Sequence, residues 1–180
     1  MMTQRSPLDA EKYHLSGLLE AIQRCVYFLD ASSRTLQWPI SGSHLALNKK
    51  DKELFEALAA INERFAKLQD TLGAAMRHSL ILTGEQADSF MKVLTIYEKA
   101  GVVQSVEAWQ IARAARNLAA HDYESDYDLV ADHFNALHEQ QEMLYQTARA
   151  FVSYTQQVLS VGPQSADFSQ EFQAITERQA

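Results

Sequence analysis

The chain has 180 residues, of which 47% are hydrophobic and 22% are charged, which is the composition of one ordinary globular domain and excludes an intrinsically disordered chain. Its 6 Gly and 3 Pro exclude a collagen-like or low-complexity sequence. The net charge is −7, and residues 101–180, with 4 basic and 11 acidic groups, supply all of it. An acidic chain is not a general binder of nucleic-acid backbones, so any contact with RNA has to be local.

The amino-terminal region begins with a predicted helix. Ser6 followed by Pro7 is a typical helix start, and apolar residues at spacings of three and four continue it over residues 7–30. The periodicity then stops, and residues 31–47 are predicted to form a loop whose Trp38 can still dock on the core.

The middle of the chain carries the strongest helical pattern. It predicts a long helix that ends near Leu82. Thr83 and Gln86 have the spacing of a capping box, which predicts that a short helix begins there and ends before Gly101. The apolar residues that repeat at spacings of three and four along the long helix are Leu54, Leu58, Ile61, Phe65, Leu68 and Leu72.

Two more helices are predicted in the carboxyl-terminal half. Ser105 is a plausible cap for the first, whose packing face is Trp109 and three alanines. Asp126 lies at the start of the second, where apolar residues repeat every seven positions over residues 130–158 and predict one continuous helix. Residues 163–180 form a tail that is either a docking helix or a mobile end.

These patterns predict an all-α fold. We expect an antiparallel bundle of four to five main helices in a single domain over residues 1–162, with an up-and-down four-helix core over about residues 50–160. No alternating strand pattern and no internal repeat is found in the sequence.

Cysteine usage and hydropathy bear on location. Cys25 is the only cysteine and lies on the apolar stripe of the first helix, which favours core packing over nucleophilic chemistry. The first residues lack the apolar segment of a signal peptide, and no apolar run approaches the length of a membrane span. We therefore expect a cytoplasmic protein without a membrane contact.

The motifs of several enzyme classes are missing from the sequence. It contains no Gly-rich phosphate loop, no paired-cysteine zinc site, no His-Glu-x-x-His and no nucleophile elbow, so we expect neither a metal nor a cofactor. His133 and His138 are five residues apart and fall on different faces of a helix, so they do not form a metal pair. The only histidine with a distinctive context is His121.

His121 belongs to a short motif at the end of a predicted helix, in which Arg116 and Asn117 precede it and Tyr123 follows. This motif resembles that of the HEPN family, whose ribonuclease members carry an Arg, a polar residue, three further residues and a His. It is most similar to the branch that works with a minimal nucleotidyltransferase, in which a Tyr follows the His by two positions. The resemblance implies an HEPN-like bundle.

The same resemblance implies roles for these residues. Arg116 and His121 would be catalytic and would line a cleft at the interface of a homodimer. Tyr123 would accept AMP from the nucleotidyltransferase, which acts as the antitoxin and silences the toxin; the alternative is that Tyr123 packs at the interface.

Helix geometry adds a constraint to this motif. On an ideal helix Arg113, Asn117 and His121 form one stripe, so Asn117 can orient His121. Arg116 lies about 140° away from His121, so their convergence requires a loosened last turn or a second subunit. Arg113 either adds positive charge or forms a surface ion pair.

The leading hypothesis is therefore an HEPN-type toxin that is a metal-independent endoribonuclease. The alternative is a non-catalytic subunit that presents a nucleotide or another substrate to a nucleotidyltransferase, and a third interpretation is a helical interaction bundle. Five acids beside the motif count against easy RNA binding, although Asp126 and Asp128 are explained as first-turn acids of the last helix. The other three are Asp122, Glu124 and Asp132.

Overall fold

The computed structural model describes residues 6–119 and 125–178. Within these ranges every regular element is helical and no strand occurs, so the predicted all-α fold is confirmed. The elements are α1 (Pro7–Ser33), α2 (Gly42–Leu47), α3 (Lys52–Thr83), α4 (Phe90–Lys99), α5 (Val106–Ala119), α6 (Tyr127–Glu139), α7 (Gln141–Tyr154), a π-helical turn (Thr155–Leu159) and α8 (Ser169–Glu177).

Three predicted helix starts are confirmed by their caps. The hydroxyl of Ser6 accepts the amide N–H of Asp9 at 3.2 Å, and the Asp9 carboxylate accepts the Ser6 amide in return. The Ser105 hydroxyl accepts the Ala108 amide at 2.9 Å, and the Asp126 carboxylate accepts two amides at the start of α6. These bonds satisfy amide groups that the first turn of a helix leaves without partners.

The predicted capping box at Thr83 is wrong. Thr83 is the last residue of α3, and Gly84 ends that helix with φ of 72°, a conformation that glycine adopts without steric strain. The cap of α4 is instead Ser89, whose hydroxyl accepts the Lys92 amide at 3.2 Å.

The predicted continuous helix over residues 130–158 is also wrong. It is interrupted at Gln140, where α6 gives way to α7, and it then loosens into the π-helical turn. A π-helical turn shifts the register of the side chains that follow. Val158 is consequently 56% exposed, while Thr155 is fully buried at the start of the turn.

The predicted loop over residues 31–47 is shorter than expected. Helix α1 continues to Ser33, and α2 forms inside the remaining segment with Leu45 fully buried. Trp38 docks as anticipated, because its indole N–H donates to the Ser33 carbonyl at 2.9 Å and its ring stacks on His138 at 4.1 Å between centroids.

Contacts between residues that are far apart in sequence show in which direction each helix runs. Helices α1 and α3 are antiparallel, since Glu11 meets His78 near one end and the Phe28 carbonyl accepts a bond from Arg64 near the other.

Helix α5 runs antiparallel to α3 on another side. Gln69 bonds the carbonyl of Trp109, and Arg116, farther along α5, bonds the carbonyl of Ala66. Helix α7 packs against both α1 and α3.

The tail forms a docking helix. Phe172 and Ile175 of α8 are each 5% exposed and pack against α1 and α7. Ser169 bonds Gln23 and Arg178 meets Asp30, so α8 runs in the same direction as α1.

Cys25 is half-buried against the core, and this burial raises the pKa of its thiol, as expected for a packing residue.

None of the helices formed by residues 6–119 and 125–178 is long and apolar enough to cross a membrane.

A substitution at Leu72 tests how much the buried apolar stripe of α3 contributes to stability. It is fully buried, so Leu72→Ala should lower the free energy of unfolding by about 2–5 kcal/mol in urea denaturation. The matched control is Leu47→Ala, because Leu47 is 86% exposed and its truncation should change the free energy by less than about 0.5 kcal/mol. Equal effects at the two sites would contradict the assignment of α3 as the central helix.

Candidate functional site: an arginine cleft beside α5

Arg116, the arginine of the motif, is held against α3. It lies in the last turn of α5, and its guanidinium donates to the Ala66 carbonyl at 3.1 Å and to the Asp70 carboxylate at 2.7 Å. The Arg116 side chain is 16% exposed, whereas that of Asp70 is 66% exposed. The arginine is therefore fixed in position by a carbonyl and by a carboxylate that solvent reaches.

The rest of the motif is only partly described. Asn117 is the next residue of α5 and is exposed, as is Arg113 one turn earlier. His121 and Tyr123 lie outside the described residues. The convergence of Arg116 with His121, the orientation of His121 by Asn117 and the role of Tyr123 therefore stay predictions.

An open cleft of about 340 Å³ lies between α3, α4 and α5, and we call it the arginine cleft. Three guanidinium groups line it, against one carboxylate, so its charged side chains sum to +2 in a chain whose net charge is −7. The lining residues are Gln69, Asp70, Gly73, Ala74, Arg77, Phe90, Trp109, Arg113 and Arg116.

Two of the three arginines have no carboxylate partner within residues 6–119 and 125–178. Neither Arg77 nor Arg113 forms an ion pair with any described residue. The Arg77 guanidinium lies over the ring of Phe90, 5.6 Å from its centroid, so a cation–π contact holds it at the rim. Arg113 forms no ion pair with a described residue, and its guanidinium is one of the three that line the cleft.

The floor of the cleft is apolar and tightly packed. Trp109 is 2% exposed and its ring lies beside that of Phe90, 6.0 Å between centroids. Gly73 faces both rings, and a Cβ there would come within 3.1 Å of Phe90. Glycine at this position thus lets α3 and α4 approach each other closely.

Gln69 contributes a hydrogen-bond acceptor to the floor. Its side chain is buried, and its amide nitrogen donates to the Trp109 carbonyl at 3.0 Å. Its amide oxygen has no hydrogen-bond partner among the described residues. Such a group is costly to leave unsatisfied, which makes it a candidate contact for a bound molecule that donates a hydrogen bond.

The sequence motif indicated only part of this cleft. Asp70, Arg77 and Gln69 lie on α3, more than thirty residues before Arg116, and no local pattern connects them with the motif. The only sequence signal for α3 was its apolar stripe, which says nothing about the polar side chains between those apolar residues.

No cluster of metal ligands occurs in residues 6–119 and 125–178. The residues described contain no group of three or more His, Cys, Asp and Glu side chains that could hold a metal ion. The arginine cleft is suited to an anion, since guanidinium groups recognise carboxylate and phosphate oxygens.

Comparison of the chain with protein-family models, with curated proteins and with solved structures finds no match in any of the three. The resemblance of the motif to the HEPN family therefore rests on residues 116–123 and on the all-helical context.

Asp70 should compete with anions for Arg116. Replacing it in Asp70→Asn removes a negative charge but keeps an oxygen that can accept from Arg116, so pyrophosphate should bind about fivefold more tightly in calorimetric titration. Because Asp70 is largely exposed, the free energy of unfolding should fall by less than about 1 kcal/mol.

The control is Asp167→Asn, which removes an exposed acid outside the cleft and should leave pyrophosphate binding unchanged. Equal gains in the two variants would mean that only the overall charge matters.

Proposed function

We propose that this protein is a metal-independent endoribonuclease of the HEPN type, active as a homodimer and of toxin type. The observation that carries the proposal is the position of Arg116. The motif arginine lines an open cleft together with Arg77 and Arg113, neither of which forms an ion pair with a described residue. The helical bundle and the location of Arg116 and Asn117 near the end of α5 support it.

The proposed reaction is attack of a ribose 2′-oxygen on the adjacent phosphorus. The bond between the 2′-oxygen and phosphorus forms while the bond from phosphorus to the 5′-oxygen breaks, which leaves a 2′,3′-cyclic phosphate and a 5′-hydroxyl. A base accepts the proton of the 2′-hydroxyl, and an acid protonates the departing 5′-oxygen.

His121 can supply both proton transfers if two chains contribute. Histidine has an unperturbed pKa of about 6.5, so its neutral and charged forms coexist near neutral pH. Each chain has one motif histidine, and a two-fold dimer would bring two of them to one cleft. Arg116 would bind the phosphate oxygens, where negative charge develops in the transition state.

The proposed partner is a minimal nucleotidyltransferase that acts as the antitoxin. Transfer of AMP from ATP to the Tyr123 hydroxyl would form a phenol–phosphorus ester bond and release pyrophosphate. It would add a negative phosphate and a nucleoside seven residues from Arg116. The phosphate would compete with RNA for the guanidinium groups, and the nucleoside would obstruct the approach to them.

Catalysis is tested by variants of the two proposed catalytic residues. Wild-type protein without its partner should cleave cellular RNA in EDTA, because the mechanism needs no metal. His121→Ala should reduce the rate by at least about 100-fold and Arg116→Ala by a similar factor.

Arg24→Ala is the control, since Arg24 is exposed on α1 and forms no ion pair with the described residues. Equal cleavage by wild type and His121→Ala, or no cleavage by wild type, would refute the proposal. Nucleotide binding that survives in His121→Ala, together with an inactive wild type, would establish the non-catalytic binding subunit instead.

The acidity of the chain leads to a salt prediction. Affinity for single-stranded RNA has to come from few arginines, so binding should be weak and should fall steeply as salt rises. Arg113→Ala removes one guanidinium from the arginine cleft, and it should reduce the slope of log K against log salt concentration by about 0.7 in anisotropy titrations. Arg24→Ala serves as the matched control, and RNA binding that ignores salt would contradict the local arginine site.

A further inference from the structure

A second pocket, of about 490 Å³, lies where the carboxyl-terminal ends of α1 and α8 meet the first turns of α7. It shares no lining residue with the arginine cleft. We call it the helix-end pocket, and its lining residues are Asp30, Ser33, Arg34, Leu36, Trp38, His138, Gln141, Tyr145, Ile175 and Arg178.

Two buried polar groups of this pocket have no hydrogen-bond partner. Four buried side-chain atoms among the described residues are unpartnered, and two of them, the Tyr145 hydroxyl and the Gln141 amide nitrogen, belong to the lining of this pocket. Tyr145 is 1% exposed and Gln141 is 4% exposed. Buried polar groups in folded proteins are rarely left without a partner, so two such donors in one pocket favour a bound hydrogen-bond acceptor there.

Both groups are hydrogen-bond donors at neutral pH. Burial raises the pKa of Tyr145 far above its ordinary value, and the charge of Asp30 raises it further, so the phenol keeps its proton. The amide nitrogen of Gln141 is a donor by its chemistry, and the Gln141 side chain also contacts His138. The pocket therefore offers two buried donors to an acceptor that the protein does not supply.

The charged residues of the pocket favour a ligand with one negative charge. Asp30 pairs with Arg34 at 3.3 Å and with Arg178 at 3.6 Å, so two guanidinium groups share one carboxylate and the sum is +1. The two arginine side chains are 62% and 43% exposed, which leaves each of them N–H groups for a ligand.

Several carbonyl groups at the two helix ends already accept hydrogen bonds. The Ser33 carbonyl accepts the indole N–H of Trp38, and the Ala174 carbonyl accepts Nε of Arg178 at 3.2 Å. The Thr176 carbonyl accepts the side-chain amide of Gln146 at 3.1 Å.

One wall of the pocket is flat. The rings of Trp38 and His138 are stacked with an angle of 2° between their planes, and the Ser33 hydroxyl contacts Nδ1 of His138 at 3.1 Å. Burial lowers the pKa of His138, so the imidazole is neutral near pH 7 and the wall carries no charge. Leu36 and Ile175 add apolar surface to the lining of the pocket.

We propose that the helix-end pocket binds a small organic carboxylate. The carboxylate oxygens accept hydrogen bonds from Tyr145 and Gln141 and pair with Arg34 and Arg178, while an apolar or aromatic body lies along the Trp38 wall. The single negative charge matches the sum of the charged side chains, and the volume is that of an ordinary small-molecule site. This site is independent of the proposed ribonuclease activity.

The test uses the full chain and the probes benzoate and 2-naphthoate. Both should raise the melting temperature increasingly with concentration, and calorimetric titration should give millimolar or tighter dissociation constants. Benzamide, which has the same shape without the charge, and inorganic phosphate, which has charge without an apolar body, should bind at least about tenfold more weakly.

Two variants locate the binding. Arg178→Gln should weaken benzoate binding about tenfold, and Tyr145→Phe should weaken it about fivefold. Tyr145→Phe removes only a hydroxyl that has no hydrogen-bond partner among the described residues, so the free protein should melt at the same or a higher temperature than wild type. Arg149→Gln is the matched control, because Arg149 also contacts α8, through Glu177 at 3.5 Å, but lies outside the pocket. It should leave the affinity unchanged.

Several results would overturn the proposal. They are the failure of both carboxylates to bind, equal binding of benzamide, phosphate binding as tight as that of benzoate, and affinities that neither Arg178→Gln nor Tyr145→Phe alters.

Discussion

The burial of α3 is the constraint on which the rest of the structure depends. This helix places a long apolar stripe in the core and contacts α1, α4, α5, α6 and α7. Because the stripe is continuous from Leu54 to Leu80, the partner helices pack along its length. The polar residues beside the stripe then come to lie at the seams between helices. Gln69 and Asp70 are such residues, and they reach Trp109 and Arg116 because α5 packs there.

Much of the fold could be predicted because helix formation leaves local signals. The apolar spacing correctly predicted α3. The capping residues Ser6, Ser105 and Asp126 correctly predicted where α1, α5 and α6 begin. The errors came where two local signals competed. Thr83 and Gln86 have capping-box spacing, but Gly84 between them has the positive φ that ends a helix. A heptad repeat likewise cannot reveal the interruption at Gln140 or the π-helical turn, since the residues up to Phe151 stay buried in either case.

The candidate site was less predictable for a physical reason. A motif specifies neighbours along one helix, so Arg116 and Asn117 could be placed on α5. The carboxylate that pairs with Arg116 and the arginine that lies over Phe90 both come from α3, and only tertiary packing brings them to the cleft. The helix-end pocket was invisible for the same reason, because its lining residues are drawn from α1, α6, α7, α8 and the segment after α1.

Helix α8 has a consequence for local stability. It is nine residues long and is held by few buried side chains, chiefly Phe172, Ile175 and Thr176, whereas α3 buries residues along its whole length. Elements with few buried contacts open at a lower free energy than the global unfolding transition. Arg178 follows the last residue of α8, so detachment of this helix would remove a guanidinium from the helix-end pocket without unfolding the bundle. Ligand binding to the pocket and the hydrogen-exchange protection of α8 are therefore thermodynamically linked. A ligand that binds the helix-end pocket stabilises the packing of α8 against the bundle.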